Sequence, residues 1–401
     1  MKILITTDWY KPVINGVVTS VINLKDELEK AGHEVRVLTL SPDGKQKYEE
    51  DTYYLKSFRV KVYPQARATH NFHSVFLPDI LDWHPDIIHS QCEWFSFIFA
   101  KYIAIKLNIP IVHTYHTIYE DYTHYLLHGT GLTKKLVLFG TNRIVNSMDY
   151  VIAPTIKTRN LLLSYGIENP IFTIPTGINL NKYRPRISET RRLELLDTLG
   201  IPKDKTVIIS IGRLAYEKNI DELIDDMILL KESHPEIFLI LVGGGPYENT
   251  LRERVASLGL ETNILFTGMI SPDEVPEYFQ IGKVFVCASQ SEAQGLTYIE
   301  ALASGIPLLC KYDQCLENVL VEGTNGYFYD NAEEFIQKLI HLLNTPDEYA
   351  QFCKNAEQTA EKYSKEVFGK RVLEVYQDAL KNFKGHASIR ARLIPMLRMY
   401  R

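Results

Sequence analysis

Short apolar segments alternate with amphipathic segments along the chain, and this alternation restricts the possible folds more than any other feature. The first part begins with KILITTD, which is followed by helical periodicity from Val17 to Lys30. Further strand candidates are EVRVLTL, DIIHSQ, IPIVHTY and YVIAP. Strands separated by helices imply a parallel sheet that is covered on both faces. The sequence therefore predicts a doubly wound α/β domain.

A proline-rich stretch, IPTGINLNKYRPR, interrupts the alternation, which then starts again with KTVIISIG, IFLILVGG, NILFTG, VFVCAS and IPLLC. At 401 residues the chain is longer than a single core requires. We therefore predict two Rossmann-like domains that face each other across a cleft, with the active site at the carboxyl ends of the strands. The predicted parts are a first domain at 1–175, a linker region at 176–200, a second domain at 201–365, and a C-terminal helix and tail at 366–401 that crosses back to the first domain.

Charge is unevenly distributed along the chain. Residues 181–378 carry 32 acidic and 20 basic side chains, whereas residues 379–401 carry six basic side chains and no acidic one. The acidic central part argues against nucleic acid as a partner, because phosphates require a basic face. The basic tail instead suggests contact with an anionic lipid surface.

Cysteine usage and hydropathy indicate a soluble cytosolic protein. The five cysteines form no Cys-x-x-Cys pair, which favours reduced core thiols. The N-terminus lacks the pattern of a signal peptide. The most apolar window, residues 94–112, contains two lysines and is interpreted as a buried helix that runs into a strand.

Two strand-to-helix connections suit a phosphate-bearing ligand. In NGVVTS, the N–H groups at a helix start near Gly16 would face the cleft. In IGRLAYEKN, Arg213 offers a rigid donor fork and Lys218 a mobile point charge. Each motif alone is also compatible with a plain turn or a solvated loop. The triple glycine in VGGGP lacks the Gly-x-Gly-x-x-Gly spacing, which disfavours a nicotinamide or flavin dehydrogenase.

Glu292 and Glu300 lie eight residues apart in SEAQGLTYIEALASG. The predicted helix begins near Leu296, so Glu292 would lie in the preceding loop and Glu300 inside the helix. The N–H groups of Gly295, Leu296 and Thr297 could bind an anion, and Glu300 could accept hydrogen bonds from ligand hydroxyls. Alternatively, Glu300 is a partner of the helix dipole and Glu292 a surface residue. A glycoside hydrolase would use two carboxyls but would leave the basic residues unexplained.

The stretch IPIVHTYHTIYEDYTHY carries many histidines and acids where a predicted strand ends. Such a density is unusual for a mere connection and marks the group as candidates: His113, His116, Glu120, Asp121 and His124. A zinc site is the alternative, although the spacing from His116 to His124 fits no common helical ligand pair. The sequence contains no Asp-x-Asp motif, a common device for holding a divalent metal on a nucleotide diphosphate.

These elements occur in the order seen in retaining family-4 glycosyltransferases, which have the GT-B fold and which the chain resembles over nearly its whole length. The resemblance rests on the Glu-x7-Glu signature, on the Gly-Arg-x-x-x-x-Lys element, on the loop at Gly16, on the cleft histidine at His116 and on the linker-like PTGINLNKYRP. It implies that Glu292 holds sugar hydroxyls, that Glu300 holds the ribose and that His116 positions the sugar without acting as the main base. The implied catalytic residues are His116, Glu292, Arg213 and Lys218. The implied donor-binding residues are Gly16, Arg213, Lys218, Met269, Glu292, Gly295, Leu296, Thr297 and Glu300, and the acceptor candidates are Tyr119 and Asp121.

Within that family the chain is most similar to bacterial 1,2-diacylglycerol 3-alpha-glucosyltransferases, through NGVVTSV, YHTIYEDYTHY and QGLTYIEALASG. The resemblance implies transfer of a hexose, first of all glucose from UDP-glucose, to diacylglycerol, with no cofactor and no essential metal. The enzyme would be cytoplasmic and bound peripherally to the inner face of the cell membrane. Gln294 and Asn219 depart from the pattern, since many relatives have Phe and Gly there. The alternatives are a soluble or polyprenyl-linked glycan acceptor and an inactive accessory or lectin-like protein.

Three segments are candidates for contact with an anionic membrane. Residues 52–78 contain no acidic side chain and mix basic with aromatic residues, as suits the headgroup level of a bilayer. Residues 132–145 and the tail at 379–401 are also basic and apolar. Each segment could instead be an ordinary half-buried strand, helix or frayed end.

Overall fold

The computed structural model describes residues 1–60, 66–70, 74–119 and 131–386, without the side chains of 131–137. The chain forms two compact units. The first unit contains residues 1–177 and the segment that starts at Lys365, and the second extends from Ile178 to Ser364.

An eight-stranded sheet forms the centre of the first unit, in the order β10-β9-β8-β7-β1-β2-β4-β3. Neighbouring strands are parallel except for the antiparallel pair β3–β4 at one edge, and β5 and β6 form a separate antiparallel pair. The elements are β1 (Lys2–Thr7), α1 (Gly16–Lys30), β2 (Glu34–Leu40), β3 (Lys47–Glu49), β4 (Thr52–Leu55), β5 (Phe58–Arg59), β6 (Arg67–Ala68), α2 (Phe76–Trp83), β7 (Ile87–Ser90), α3 (Phe95–Leu107), β8 (Ile111–Thr114), α4 (Gly131–Val145), β9 (Tyr150–Ala153), α5 (Ile156–Ser164) and β10 (Ile171–Thr173).

The second unit is built on six parallel strands in the order β13-β12-β11-β14-β15-β16. The order reverses between β11 and β14, and ligands of such sheets bind outside the carboxyl ends of the strands at this switch point. The elements are α6 (Glu189–Thr198), β11 (Thr206–Ile211), α7 (Ile220–Ser233), β12 (Ile237–Val242), α8 (Glu248–Ser257), β13 (Ile264–Gly268), α9 (Val275–Ile281), β14 (Val284–Cys287), α10 (Leu296–Ala303), β15 (Leu308–Lys311), β16 (Gly326–Tyr329), α11 (Ala332–Asn344) and α12 (Pro346–Ala360). Short 3₁₀ helices cover Leu180–Lys182, Tyr216–Lys218, Gln314–Leu316 and Glu361–Tyr363.

The last described helix, α13 (Lys365–Asn382), returns to the first unit and packs on α1. The helices approach closely at Gly369, where a Cβ would lie 2.6 Å from the Cβ of Glu27. Further along, the hydroxyl of Tyr376 is 2.7 Å from Nδ1 of the buried His89 in β7. The contacts extend from the start of α13 to its middle, so this helix is part of the first unit's structure.

The predicted α/β class with two parallel-sheet domains is confirmed. Central strands such as β12 are buried along their whole length, as expected for a sheet that is covered on both faces. The helix α6 lies inside the stretch 176–200 that we predicted as a linker region, and it belongs to the second unit. None of the described helices combines the length and the hydropathy that a bilayer span requires.

Candidate active site

In the second unit, the switch point brings together three of the residues singled out from the sequence. Arg213 follows β11 and forms an ion pair with Glu217, while Lys218 ends the next 3₁₀ helix. The Nζ of Lys218 lies 2.5 Å from Oε1 of Glu292, which is in the loop after β14. Ser291 joins the two loops again, because its hydroxyl donates to the Glu217 carbonyl at 2.9 Å. Two cations and two carboxylates therefore lie where a doubly wound sheet binds its ligand.

The start of α10, where the sequence predicted an anion site, has glycine as its N-cap. Gly295 has φ +71°, and a Cβ on it would lie 2.3 Å from the ring of Tyr298, so only glycine fits this position. As the N-cap, Gly295 has no side chain that could satisfy the first N–H groups of the helix. The N–H groups at Leu296 and Thr297 are thus available to the oxygens of a ligand.

Glu300 lies further along α10 and has different neighbours from Glu292. Burial raises the pKa of Glu300, against a hydrogen bond from Tyr183 and the charge of Lys182. Tyr183 follows the 3₁₀ helix at the beginning of the second unit. The two signature glutamates therefore occupy distinct environments: Glu292 faces Lys218, and Glu300 faces Tyr183.

The triple glycine after β12 has a packing role that the sequence did not reveal. A Cβ on Gly243 would lie 2.0 Å from the carbonyl oxygen of Gly212, and one on Gly245 would lie 2.1 Å from that of Leu214. The loops after β11 and β12 can be in backbone contact only because these side chains are absent. Met269, which is 67% exposed, follows β13 and lies beside this loop, with its Cγ 3.2 Å from the Cβ position of Gly244.

In the first unit, His116 lies beyond the carboxyl end of β8 and is half-buried. Its Nε2 is 2.7 Å from Oε1 of Gln91, which follows β7. Burial and the nearby His113 lower the pKa of His116 to about 3, so the ring is neutral at physiological pH. A histidine with this pKa is a weak base, which agrees with a positioning role.

A carboxylate that the sequence analysis did not single out contacts His113, the histidine near His116. Glu93 is 6% exposed and bonds to Nε2 of His113 at 3.0 Å. Its other oxygen accepts from the hydroxyl of Tyr119, which in turn accepts from the Nε1 of Trp94 at 3.1 Å. The acceptor candidate Tyr119 therefore has two hydrogen-bond partners, Glu93 and Trp94. The side chain of Trp94 is itself exposed.

Asp8 is a second acid of this region and is half-buried. It accepts hydrogen bonds from the N–H groups of Phe95 and Ser96 at the start of α3, and burial raises its pKa to about 6. Gly16 is the first residue of α1, whose N-cap Asn15 accepts from the N–H of Val18 at 2.9 Å. The other acceptor candidate, Asp121, lies outside the described residues.

The site residues that the sequence analysis missed follow the carboxyl ends of β7 and β1, and this position could have identified them. Gln91 and Glu93 directly follow β7, and Asp8 directly follows β1. Ligand-binding residues of doubly wound sheets concentrate at such positions. Within the described part of the chain, no three His, Cys, Asp or Glu side chains are grouped so as to hold a metal ion.

The basic segments considered for membrane contact are partly structural. In 52–78, Tyr53 and Leu55 belong to the core, whereas Phe58 is 46% exposed beside the exposed Arg59. In 132–145, Phe139 is 64% exposed. The tail begins inside the fold, since His386 is buried and its Nε2 lies 2.8 Å from a backbone carbonyl oxygen. Residues 61–65, 71–73 and 387–401 and the side chains of 132–137 lie outside the described residues.

Comparison with known proteins found matches over most of the chain. Residues 14–182 match the family model for Glycosyltransferase Family 4, and residues 192–359 match that for Glycosyl transferases group 1. An alpha-monoglucosyldiacylglycerol synthase of Streptococcus pneumoniae is 35% identical over 95% of this chain and 86% of its own length. A protein of the same name from Acholeplasma laidlawii is 34% identical over 95% of this chain and 98% of its own. Among solved structures, Anabaena HepE in complex with UDP and glucose is similar in fold, with a TM-score of 0.70, 18% identity, and coverage of 94% of this chain and 99% of that one.

Proposed function

The chain belongs to the GT-B glycosyltransferases of family 4 and group 1, and we propose that it transfers glucose from UDP-glucose to the 3-hydroxyl of 1,2-diacylglycerol. The names of the two similar synthases support the sugar and the lipid acceptor. The observation that carries the proposal is the contact of Lys218 with Glu292 at the switch point, near Arg213. It supports adjoining positions for the diphosphate and the sugar of the proposed donor in the second unit.

In the proposed reaction, charge accumulates on the diphosphate as the bond between the anomeric carbon and the phosphate oxygen breaks. Arg213, Lys218 and the N–H groups at the start of α10 stabilise this charge in a preorganised site. Because these groups supply positive charge, we propose that no metal is essential. Loss of one such contact typically costs about 3 kcal/mol, or roughly a hundredfold in rate.

We further propose that the anomeric configuration is retained. The acceptor hydroxyl attacks from the face that the diphosphate leaves, the new bond joins its oxygen to the anomeric carbon, and its proton passes to a phosphate oxygen of the departing UDP. The low pKa of His116 supports this route, since the ring is a poor proton acceptor at neutral pH. Glu292 holds hydroxyls of the sugar, and Glu300 those of the ribose.

Peripheral attachment to an anionic membrane is part of the proposal, because the acceptor is a lipid. The exposed Phe58, Arg59 and Phe139 support it in the first unit. Flotation with liposomes that contain phosphatidylglycerol should recover the protein at low salt and lose it at high salt. If the protein fails to float with anionic liposomes at low salt, the membrane proposal is wrong.

The activity is tested with diacylglycerol in mixed micelles and a panel of radiolabelled sugar nucleotides, with and without EDTA. We expect a labelled monoglycosyl lipid from UDP-glucose, insensitive to EDTA and cleaved by an α-glucosidase but not by a β-glucosidase. Label that enters only a soluble or polyprenyl-linked glycan would replace the lipid acceptor in the proposal. Cleavage by the β-glucosidase alone would contradict retention.

A further inference from the structure

Beside the donor residues lies a charged group that the proposed reaction does not use. Lys311 is the last residue of β15, and its Nζ donates to both carboxylate oxygens of Glu222 at 2.7 and 2.8 Å. Glu222 lies in the first turn of α7 and accepts at 2.6 Å from Nδ2 of Asn219. Asn219 directly follows Lys218. A continuous chain of bonds therefore links the central sheet to the residue next to the diphosphate-binding lysine.

Asn219, which donates the hydrogen bond to Glu222, has an unusual backbone conformation. Its φ of +52° and ψ of +37° place it in the left-handed region, where asparagine is among the few tolerated residues other than glycine. This turn redirects the chain from the 3₁₀ helix of Lys218 into α7. Glycine would permit the same turn but would lack the bond to Glu222. The side chain of Asn219 thus anchors a bend that glycine would leave unanchored.

The end of β15 also contacts the loop that carries the other half of the pair. The Nε2 of Gln290 donates at 3.1 Å to the carbonyl of Tyr312, which directly follows Lys311. Gln290 lies two residues before Glu292 in the loop after β14. The end of β15 therefore contacts the loop of Lys218 through Glu222 and the loop of Glu292 through Gln290.

We propose that Lys311, acting through Glu222 and Asn219, is a positioning residue that holds Lys218 in place for the donor diphosphate. The inference rests on the proposed function, because it assumes that Lys218 meets that diphosphate. A purely stabilising role explains the arrangement less well. Lys311 and Glu222 are each 22% exposed, and ion pairs that water reaches contribute little to stability. The Lys311–Glu222 pair instead restricts the position of Lys218, whose long side chain is otherwise mobile.

Titration calorimetry with UDP and with uridine separates positioning from general loosening of the unit. Uridine lacks the diphosphate, so a misplaced Lys218 leaves its affinity unchanged. We expect the Kd for UDP to rise about tenfold in Lys311→Met and several-fold in Asn219→Gly, with the Kd for uridine unchanged in both. Lys311→Arg keeps the ion pair and should restore UDP affinity to within about threefold of the wild type.

Asn318→Gly is the matched control, because Asn318 also has a positive φ, +67°, and lies in the same unit. Its UDP affinity should equal that of the wild type. If Lys311→Met fails to fold, the UDP affinity of Asn219→Gly tests the proposal instead, since glycine accepts the φ of this position. Unchanged UDP affinity in Asn219→Gly, or equal weakening for UDP and uridine, would overturn the positioning role. A wild-type protein that binds no UDP would instead overturn the proposed function.

Discussion

The buried carboxyl of Asp226 should make the second unit less stable as the pH rises. Asp226 lies on α7, one turn after Glu222; it is 3% exposed, and its Oδ2 has no hydrogen-bond partner. Burial, together with the charges of Glu222 and Asp225, raises its pKa to about 7, and Lys311 opposes the shift. The perturbation that tests this is Asp226→Asn, which keeps the shape of the side chain and removes its titration.

The sign and the magnitude follow from the two pKa values. The ordinary pKa of the group is 3.8, so between pH 3.8 and about pH 7 the folded protein holds a proton that the unfolded chain has lost. The free energy of unfolding therefore falls as the pH rises through this range and stays low above it. Between pH 5 and pH 8.5 the loss is roughly 2 to 3 kcal/mol, because one unit of pKa corresponds to about 1.4 kcal/mol. The free energy of unfolding of Asp226→Asn should not show this loss, because asparagine does not titrate.

Thermal unfolding of the second unit followed by calorimetry, from pH 5 to pH 8.5, measures the effect, since all three tryptophans lie in the first unit and their fluorescence would not report on it. The Tm of Asp226→Asn relative to the wild type should rise with pH by roughly 5 to 10 °C, given about 2 to 4 °C per kcal/mol for a unit of this size. Asp204→Asn, at an exposed position of the same unit, is the matched control and should show a constant difference. A constant difference for Asp226→Asn as well would refute the reasoning.

Three further predictions concern the donor site. Lys218→Met should lower kcat/KM about a hundredfold. The control Lys231→Met, at an exposed lysine of α7, should leave transfer kinetics unchanged. Equal rates for both variants would show that Lys218 does not belong to the donor site. Gly295→Ala should lower the Tm more than Gly323→Ala, because both have positive φ but only Gly295 would drive a Cβ into a ring, and equal losses of Tm would contradict the clash. Glu300→Ala should weaken binding of UDP, but not of 2′,3′-dideoxyuridine diphosphate, in calorimetry, and a UDP affinity that stays intact would exclude the ribose role.

Local patterns were sufficient to predict most of the strands of the two main sheets. The helix predicted from Val17 to Lys30 is α1 (Gly16–Lys30), because Val21, Leu24 and Leu28 recur at helical spacing and face the core. The short strands β3 to β6, β10 and β16 were not predicted. They have two to four residues each, too few to show a period, and tertiary pairing determines them.

The candidate site could be predicted only in part from the sequence. Lys218 and Glu292 are 74 residues apart, and the family motifs, not their spacing, placed them in one site. Lys311 and Glu222 are 89 residues apart, and neither belongs to a motif, so nothing in the local sequence connects them. The carboxyl ends of strands indicate where to search, but only the sheet order shows which ends are neighbours.

The ion pairs of the switch point imply that carboxylates of the proposed donor site compete with the donor diphosphate for the same cations. Arg213 is paired with Glu217, and Lys218 with Glu292. In the proposed reaction an arriving diphosphate would displace the carboxylates from these cations, and the same carboxylates would pair with the cations again when UDP departs. Such an exchange of counterions lowers the affinity for the product and hastens its release. In Glu217→Gln, UDP should bind more tightly and dissociate more slowly, which stopped-flow displacement would measure; unchanged dissociation would exclude the exchange.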